Sequence, residues 1–245
     1  MFDHVTIRVS GRAAATAFYD LVLAALDVPP AARGAAFDEW DDFSLAQADD
    51  AHPVTRGLHV GFVAPSPAAV DAFWAAGRAA GAADAGAPGP RPQYKDSYYG
   101  AFLRDPDGNS VEAVHHDDVR RGGHVDHLWV GVADLDRAAR FYAGIAPHAG
   151  IRPGASWDTG RQFRGPWATM ALVADGRPPT TGLHIAFPAP DRETVAGFHA
   201  AALAAGGRDN GGPGERPEYH AGYYGAFVLD PDGTNVESVL HCPRG

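Results

Sequence analysis

The chain has 245 residues, of which 45% are hydrophobic and 20% charged, a composition that suits one large folded domain or two smaller ones. Its formal charge of −10 argues against nucleic acid, whose phosphates attract basic surfaces. No apolar run approaches the roughly 18 residues of a membrane span. The start, Met1-Phe2-Asp3-His4, lacks the basic and apolar stretches of a signal peptide. The single Cys242 excludes an internal disulfide and a cysteine-based zinc site, so a reducing cytoplasm is the expected location.

A short strand is predicted over residues 3–9. An Ala-rich helix follows over about 11–26, then a polar, strand-like stretch around 37–47. The pattern then restarts. A strand over 57–63 leads through Pro65-Ser66-Pro67 into a helix over 68–80. A Gly/Pro loop comes next, and two strands joined at Asp105-Pro106-Asp107-Gly108-Asn109 close the unit, with Pro and Gly as turn punctuation. Each half therefore reads as a βαβββ module.

The whole arrangement recurs. YYGAFLRDPDG at 98–108 returns as YYGAFVLDPDG at 223–233, an offset of 125 residues. Gly57-Leu58-His59-Val60 and Arg91-Pro92 match Gly182-Leu183-His184-Ile185 and Arg216-Pro217 at the same offset. Nearer the start the offset is 123, pairing Asp3-His4 with Asp126-His127 and Phe18-Tyr19 with Phe141-Tyr142. One register along the whole chain marks a duplication. The expectation is an α+β protein of two tandem domains, 1–118 and 124–245, with a linker at 119–123. Each domain would pair two βαβββ modules into a curved sheet around a cleft.

Strand alternation places the polar residues. Side chains at i, i+2 and i+4 share a face, so His4, Thr6 and Arg8 lie opposite Val5, Ile7 and Val9. His59 and Gly61 oppose Leu58, Val60 and Phe62, while Glu112 shares its face with Ser110, Val114 and His116. His127, His184 and Glu237 repeat the pattern, and Trp129 lies on the face of His127. Helices must cover the apolar faces, which leaves the other face to line the cleft. An ionised carboxylate there is costly unless paired or coordinated. Two imidazoles and one carboxylate suit a divalent transition metal such as Fe, Zn, Mn or Ni, with positions left open for substrate.

These residues bring the chain close to a known family. It resembles the vicinal oxygen chelate superfamily, which includes glyoxalase I, fosfomycin-resistance enzymes, extradiol dioxygenases and bleomycin-binding proteins. The matching marks are the strand histidines His4, His127, His59 and His184, the helix Phe-Tyr pairs, and the closing stretches DPDGNSVEAV and DPDGTNVESV. The resemblance implies a metal that chelates vicinal oxygens of a small substrate. It assigns His4, His59 and Glu112 as ligands in the first domain, and His127, His184 and Glu237 in the second. Glyoxalase I adds a Glu on the last strand of the first half; the corresponding stretches here, FSLAQ at 43–47 and ATMAL at 168–172, hold no carboxylate. A three-ligand site is more similar to the extradiol dioxygenases and fosfomycin thiol transferases.

His116 and His241, four residues after each Glu, share its face and are candidate acid/base or hydrogen-bonding groups. Tyr99 and Tyr224 join them as candidate catalytic side chains. They come from a loop carrying Tyr94, Tyr98, Tyr219 and Tyr223, with Lys95 in one copy and His220 in the other. The expected function is a metal-dependent lyase, isomerase or dioxygenase acting on a small molecule, as monomer or homodimer. The alternative is a protein that sequesters a drug or metabolite.

Overall fold

The computed structural model describes residues 1–117 and 122–242; residues 119–121 of the expected linker lie outside them. In chain order the elements are β1 (His4–Val9), α1 (Arg12–Ala24), β2 (Ala32–Arg33), β3 (Phe37–Trp40), β4 (Phe43–Gln47), β5 (His59–Val63), α2 (Pro67–Ala79), β6 (Asp84–Pro90), β7 (Tyr99–Arg104) and β8 (Ser110–His115). The second repeat supplies β9 (Val125–Gly131), α3 (Leu135–Ala149), β10 (Arg152–Trp157), β11 (Gly160–Arg164), β12 (Thr169–Val173), β13 (Leu183–Pro188), α4 (Arg192–Ala204), β14 (Arg208–Glu215), β15 (Tyr223–Leu229) and β16 (Asn235–His241). The fold is α+β, built of paired βαβββ modules with mixed sheets. No helix among the described residues is long and apolar enough to cross a membrane.

By contacts the chain divides into two compact units, residues 6–129 and residues 1–5 with 130–245. The divisions fall inside β1 and inside β9. Within residues 6–129 the strands run β9-β5-β8-β7-β6, with β5 and β8 parallel and the other pairs antiparallel. The rest of β1 leads the series β4-β3-β2. Leu58, Val60, Phe62, Leu103 and Val111 are buried together with Val70 and Phe73 of α2 and Tyr19 and Val22 of α1. Each such side chain contributes about 1.5–3 kcal/mol on burial. Helix α2 starts where Ser66 Oγ accepts from the Ala69 amide at 3.2 Å, with Pro67 in the first turn, so an orphan donor is satisfied and φ is pre-set.

The other unit repeats this plan. Its strands run β14-β15-β16-β13 and then the first residues of β1, with β13 and β16 parallel. A second antiparallel series is β10-β11-β12. Asp134 and Asp191 cap α3 and α4 by accepting from the Arg137 and Thr194 amides. Two sequence expectations need correcting. The Gly/Pro loop before the last hairpin is an edge strand, β6 and again β14, paired to its neighbour with register shifts; Pro and Gly are tolerated at an edge, where no ladder bond is required on the outer side. The polar stretch 37–47 is two strands, turned at Asp41 with φ 56°.

The Phe-Tyr pair and the Asp-Pro-Asp-Gly turn prove to be one device. Tyr19 Oη donates to Asp105 Oδ2 at 3.0 Å, and Tyr142 Oη to Asp230 Oδ2 at 3.0 Å. Each Asp also accepts from two backbone amides of its own turn. The turn that launches β8 or β16, and with it the site glutamate, is thus wrapped around a buried carboxylate. Removing one hydroxyl leaves that carboxylate short of a donor. Tyr19→Phe and Tyr142→Phe are each expected to lower stability by about 1–3 kcal/mol in urea unfolding; an unchanged midpoint would contradict this role.

Candidate metal centres

Six side chains converge in two groups of three. In residues 6–129, His59 Nε2 lies 3.0 Å from Glu112 Oε2 and 2.9 Å from His127 Nε2, and His127 Nε2 lies 3.2 Å from the same oxygen. In the other unit, His184 Nε2 lies 3.1 Å from Glu237 Oε2, and His4 Nε2 lies 3.0 Å from His184 Nε2 and 3.6 Å from Glu237 Oε2. Ligands bound at about 2.1 Å stand about 3.0 Å apart at right angles and about 3.4 Å apart at the tetrahedral angle. Both triangles have that size. Glu237 Oε2 is moreover buried with no hydrogen-bond partner, a costly state for a carboxylate oxygen that a cation would relieve. The donor chemistry, the spacing and the orphaned oxygen all fit a divalent metal.

The grouping differs from the expected one. His4 does not join His59 and Glu112, nor does His127 join His184 and Glu237; the two first-strand histidines are exchanged. The cause is strand adjacency. β9 lies against β5 with Gly61 opposite His127, while the Asp3 amide donates to the Ala186 carbonyl at 2.9 Å and so lays the start of β1 along β13. Alternation fixes the face of each histidine but not the neighbour of its strand, and a duplication offers the same first strand twice.

Small residues make room for the groups. A Cβ on Gly61 would fall inside the His127 ring, so the ring crosses β5 towards His59 through space that glycine leaves open. Gly100 and Gly225 do the same for Glu112 and Glu237, whose Oε1 atoms would each lie 2.7 Å from an added Cβ. At the place of Gly61 the second repeat has Ala186, and there the His4 side chain is 23% exposed against 9% for His127.

The free oxygen of each carboxylate is held by a tyrosine. Tyr98 and Tyr223 donate to Oε1 of Glu112 and Glu237, both at 2.7 Å. Burial and the adjacent carboxylate push both phenols far up, so they remain donors. The expected catalytic pair, Tyr99 and Tyr224, points the other way: Tyr99 Oη donates to Asp71 of α2 at 2.9 Å, and Tyr224 lies under the Arg192 guanidinium of α4 at 4.5 Å. Counting back from the glutamates would have shown it, because Phe102 stands opposite Glu112 and Tyr99 opposite His115, which puts Tyr98 on the ligand face. Tyr94 and Tyr219 are exposed and pack on Tyr98 and Tyr223. Lys95 pairs with Asp117 at 2.5 Å. Arg8 extends to the Gln47 carbonyl, and Trp129 stands edge-on to His59 at 6.2 Å. His116 and His241 contact aspartates rather than the glutamates.

Protons and a bound cation would compete for the first triad. Burial would raise the Glu112 carboxyl, but hydrogen bonds from His127 and His59 bring it down to about 2. Burial would lower the His127 imidazole, but Asp126 and Glu112 carry it up to about 10. In metal-free protein the Glu112 contribution to stability is complete above pH 4.5 and lost as pH falls through about 2. The His127 contribution is complete below pH 6.5 and lost as pH rises through about 10. A metal must displace the His127 proton. Affinity at this centre is therefore expected to rise about tenfold per pH unit from pH 6.5 towards 10. Calorimetric titration with Zn(II) in buffers of different ionisation enthalpy measures the released proton, and a pH-independent affinity would contradict the shift.

Two convergent His/His/Glu groups on βαβββ sheets define a modular α+β protein with two candidate metal sites. Its sequence matches the model of the glyoxalase/bleomycin resistance protein/dioxygenase superfamily over residues 1–113 and again over 124–238, and the chain belongs to that superfamily. No curated protein matches the sequence. Among solved structures it is similar to glyoxalase I from Zea mays, with a TM-score of 0.72 at 18% identity, covering 98% of this chain and 92% of the other. It is also similar to a putative dioxygenase from Bacillus subtilis subsp. subtilis str. 168, with a TM-score of 0.64 at 15% identity, covering 99% and 85%. At such identities the likeness is one of fold.

Proposed function

We propose that the chain is a metal-dependent enzyme that binds a small substrate through two neighbouring oxygens, with one centre per unit. The observation that carries this reading is the buried, unsatisfied Glu237 Oε2 facing two imidazole nitrogens. His59, Glu112 and His127 would hold one divalent cation, and His4, His184 and Glu237 the other. Such a cation supplies Lewis acidity to a bound oxygen. Tyr98 and Tyr223 hold the second carboxylate oxygen, so each glutamate presents a single oxygen to the centre. Phe102 and Trp129 flank His59 at 6.0 and 6.2 Å, and Phe227 flanks His184 at 6.2 Å, apolar walls that orient a planar molecule and exclude water.

Two reactions fit three ligands with open positions: glyoxalase-like proton transfer beside a carbonyl, and ring-cleaving dioxygenation. The test is turnover by metal-loaded protein of 2-hydroxycarbonyl compounds without oxidant, and of catechols with Fe(II) and oxygen. His59→Ala and His184→Ala, assayed separately, are each expected to abolish the activity of one centre, a loss of at least about 100-fold there. Tight binding of such compounds with no turnover in either assay would overturn the enzyme reading in favour of sequestration.

A further inference from the structure

Behind each triad stands a third histidine. In residues 6–129, His116 Nε2 lies 2.9 Å from Asp126 Oδ2, and Asp126 Oδ1 lies 2.8 Å from His127 Nδ1. In the other unit, His241 Nε2 lies 3.1 Å from Asp3 Oδ2, and Asp3 Oδ1 lies 2.8 Å from His4 Nδ1. The same His-Asp-His string thus forms twice, each time between the end of the last strand of one repeat and the start of the exchanged first strand of the other. The Nδ1 atoms of the remaining triad histidines contact Ser110 Oγ (His59) and Asn235 Nδ2 (His184).

A carboxylate on Nδ1 fixes the tautomer that leaves Nε2 free for a cation and sets the ring direction. It does so only while it is itself fixed. Asp126 is 3% exposed, and a donor on its second oxygen satisfies that oxygen and hinders its rotation. Asp3 is likewise held from both sides, by His4 at one oxygen and His241 at the other.

We propose that His116 and His241 are positioning residues that act through Asp126 and Asp3 to orient His127 and His4, and so set the metal affinity of each centre. The two strings are unequal. The His116 side chain is 7% exposed, whereas His241 is 44% exposed and is joined at 3.1 Å to His220. Water reaches the place of His241 more readily than that of His116.

This proposal rests on the metal-centre reading, and one experiment separates their failures. Metal-free full-length protein is titrated with Co(II), following calorimetry and the visible d–d spectrum. Wild type binding two equivalents upholds the centres; binding none overturns them together with this inference. Given two equivalents, His116→Leu is expected to weaken one site about 10–100-fold and shift its Co(II) spectrum. His116→Gln, which keeps a donor, restores both. In an Asp126→Ala background the His116→Leu change has no further effect. His241→Leu weakens the other site by a smaller factor, and its exposure keeps that arm of the test usable should His116→Leu not fold. Variants that lose thermal stability yet keep wild-type Co(II) affinity and spectrum would overturn the positioning role alone.

Discussion

His4→Ala combined with Glu112→Ala is expected to leave the protein with no tightly bound divalent metal, while His127→Ala combined with Glu112→Ala leaves one equivalent. The first pair takes one ligand from each centre, since His4 belongs with His184 and Glu237, and Glu112 with His59 and His127. The second pair takes two ligands from the same centre. Had each repeat closed its own site, the outcomes would be interchanged: one equivalent for the first pair and none for the second. Losing one of three protein ligands costs far more than the 10–100-fold of a supporting contact, so equivalents per chain, read by elemental analysis after desalting, give a clean answer. The reversed stoichiometry would refute the strand exchange.

The second large effect is expected from one methyl group. Gly61→Ala places a Cβ inside the space of the His127 imidazole, against Cε1, Nδ1 and Nε2. The ring is 9% exposed and held at 2.8 Å by Asp126, so it can leave only by breaking that bond and withdrawing from His59. Overpacking of this kind costs about 1–3 kcal/mol. The metal equivalent held by His59, Glu112 and His127 should disappear with it, while the other centre is untouched. The reciprocal change, Ala186→Gly, removes a methyl packed beside Tyr223 and Val239 and is expected to keep both equivalents. Thermal unfolding and metal content of the two variants check the asymmetry, and full metal content in Gly61→Ala would contradict the close approach.

Much of the fold was legible because duplication and alternation are local signals. The modules, the buried faces and the side of the strand on which each histidine lies all followed from period-two patterns. The partition of ligands did not. His4 and His127 each follow an Asp and open the first strand of their repeat, so that shared pattern does not tell which of β5 and β13 either will meet. That choice is made by non-local pairing. The tyrosines show a different limit. Tyr98 and Tyr99 are adjacent and chemically identical, and only parity relative to Glu112 separates the one that reaches the carboxylate from the one that packs against α2. Glycine carried a further signal: Gly61, Gly100 and Gly225 sit within strands where a side chain would ordinarily pack, and each marks a place where a site residue passes close to the backbone.

The Asp-His pairs at 3–4 and 126–127 and the histidines at 116 and 241 were visible as isolated polar residues, but their linkage joins the ends of different repeats. Each centre therefore depends on residues brought together by the exchanged strand: a ligand, the carboxylate behind it, and the histidine behind that.

Diffraction from crystals loaded with Zn(II), recorded at the zinc absorption edge, reads the two centres directly. Two anomalous peaks are expected. One should lie about 2.0–2.2 Å from His59 Nε2, His127 Nε2 and Glu112 Oε2, and the other at the same distances from His4 Nε2, His184 Nε2 and Glu237 Oε2. A peak that joins His4 to His59, or two triads that stay empty while zinc binds elsewhere, would contradict it.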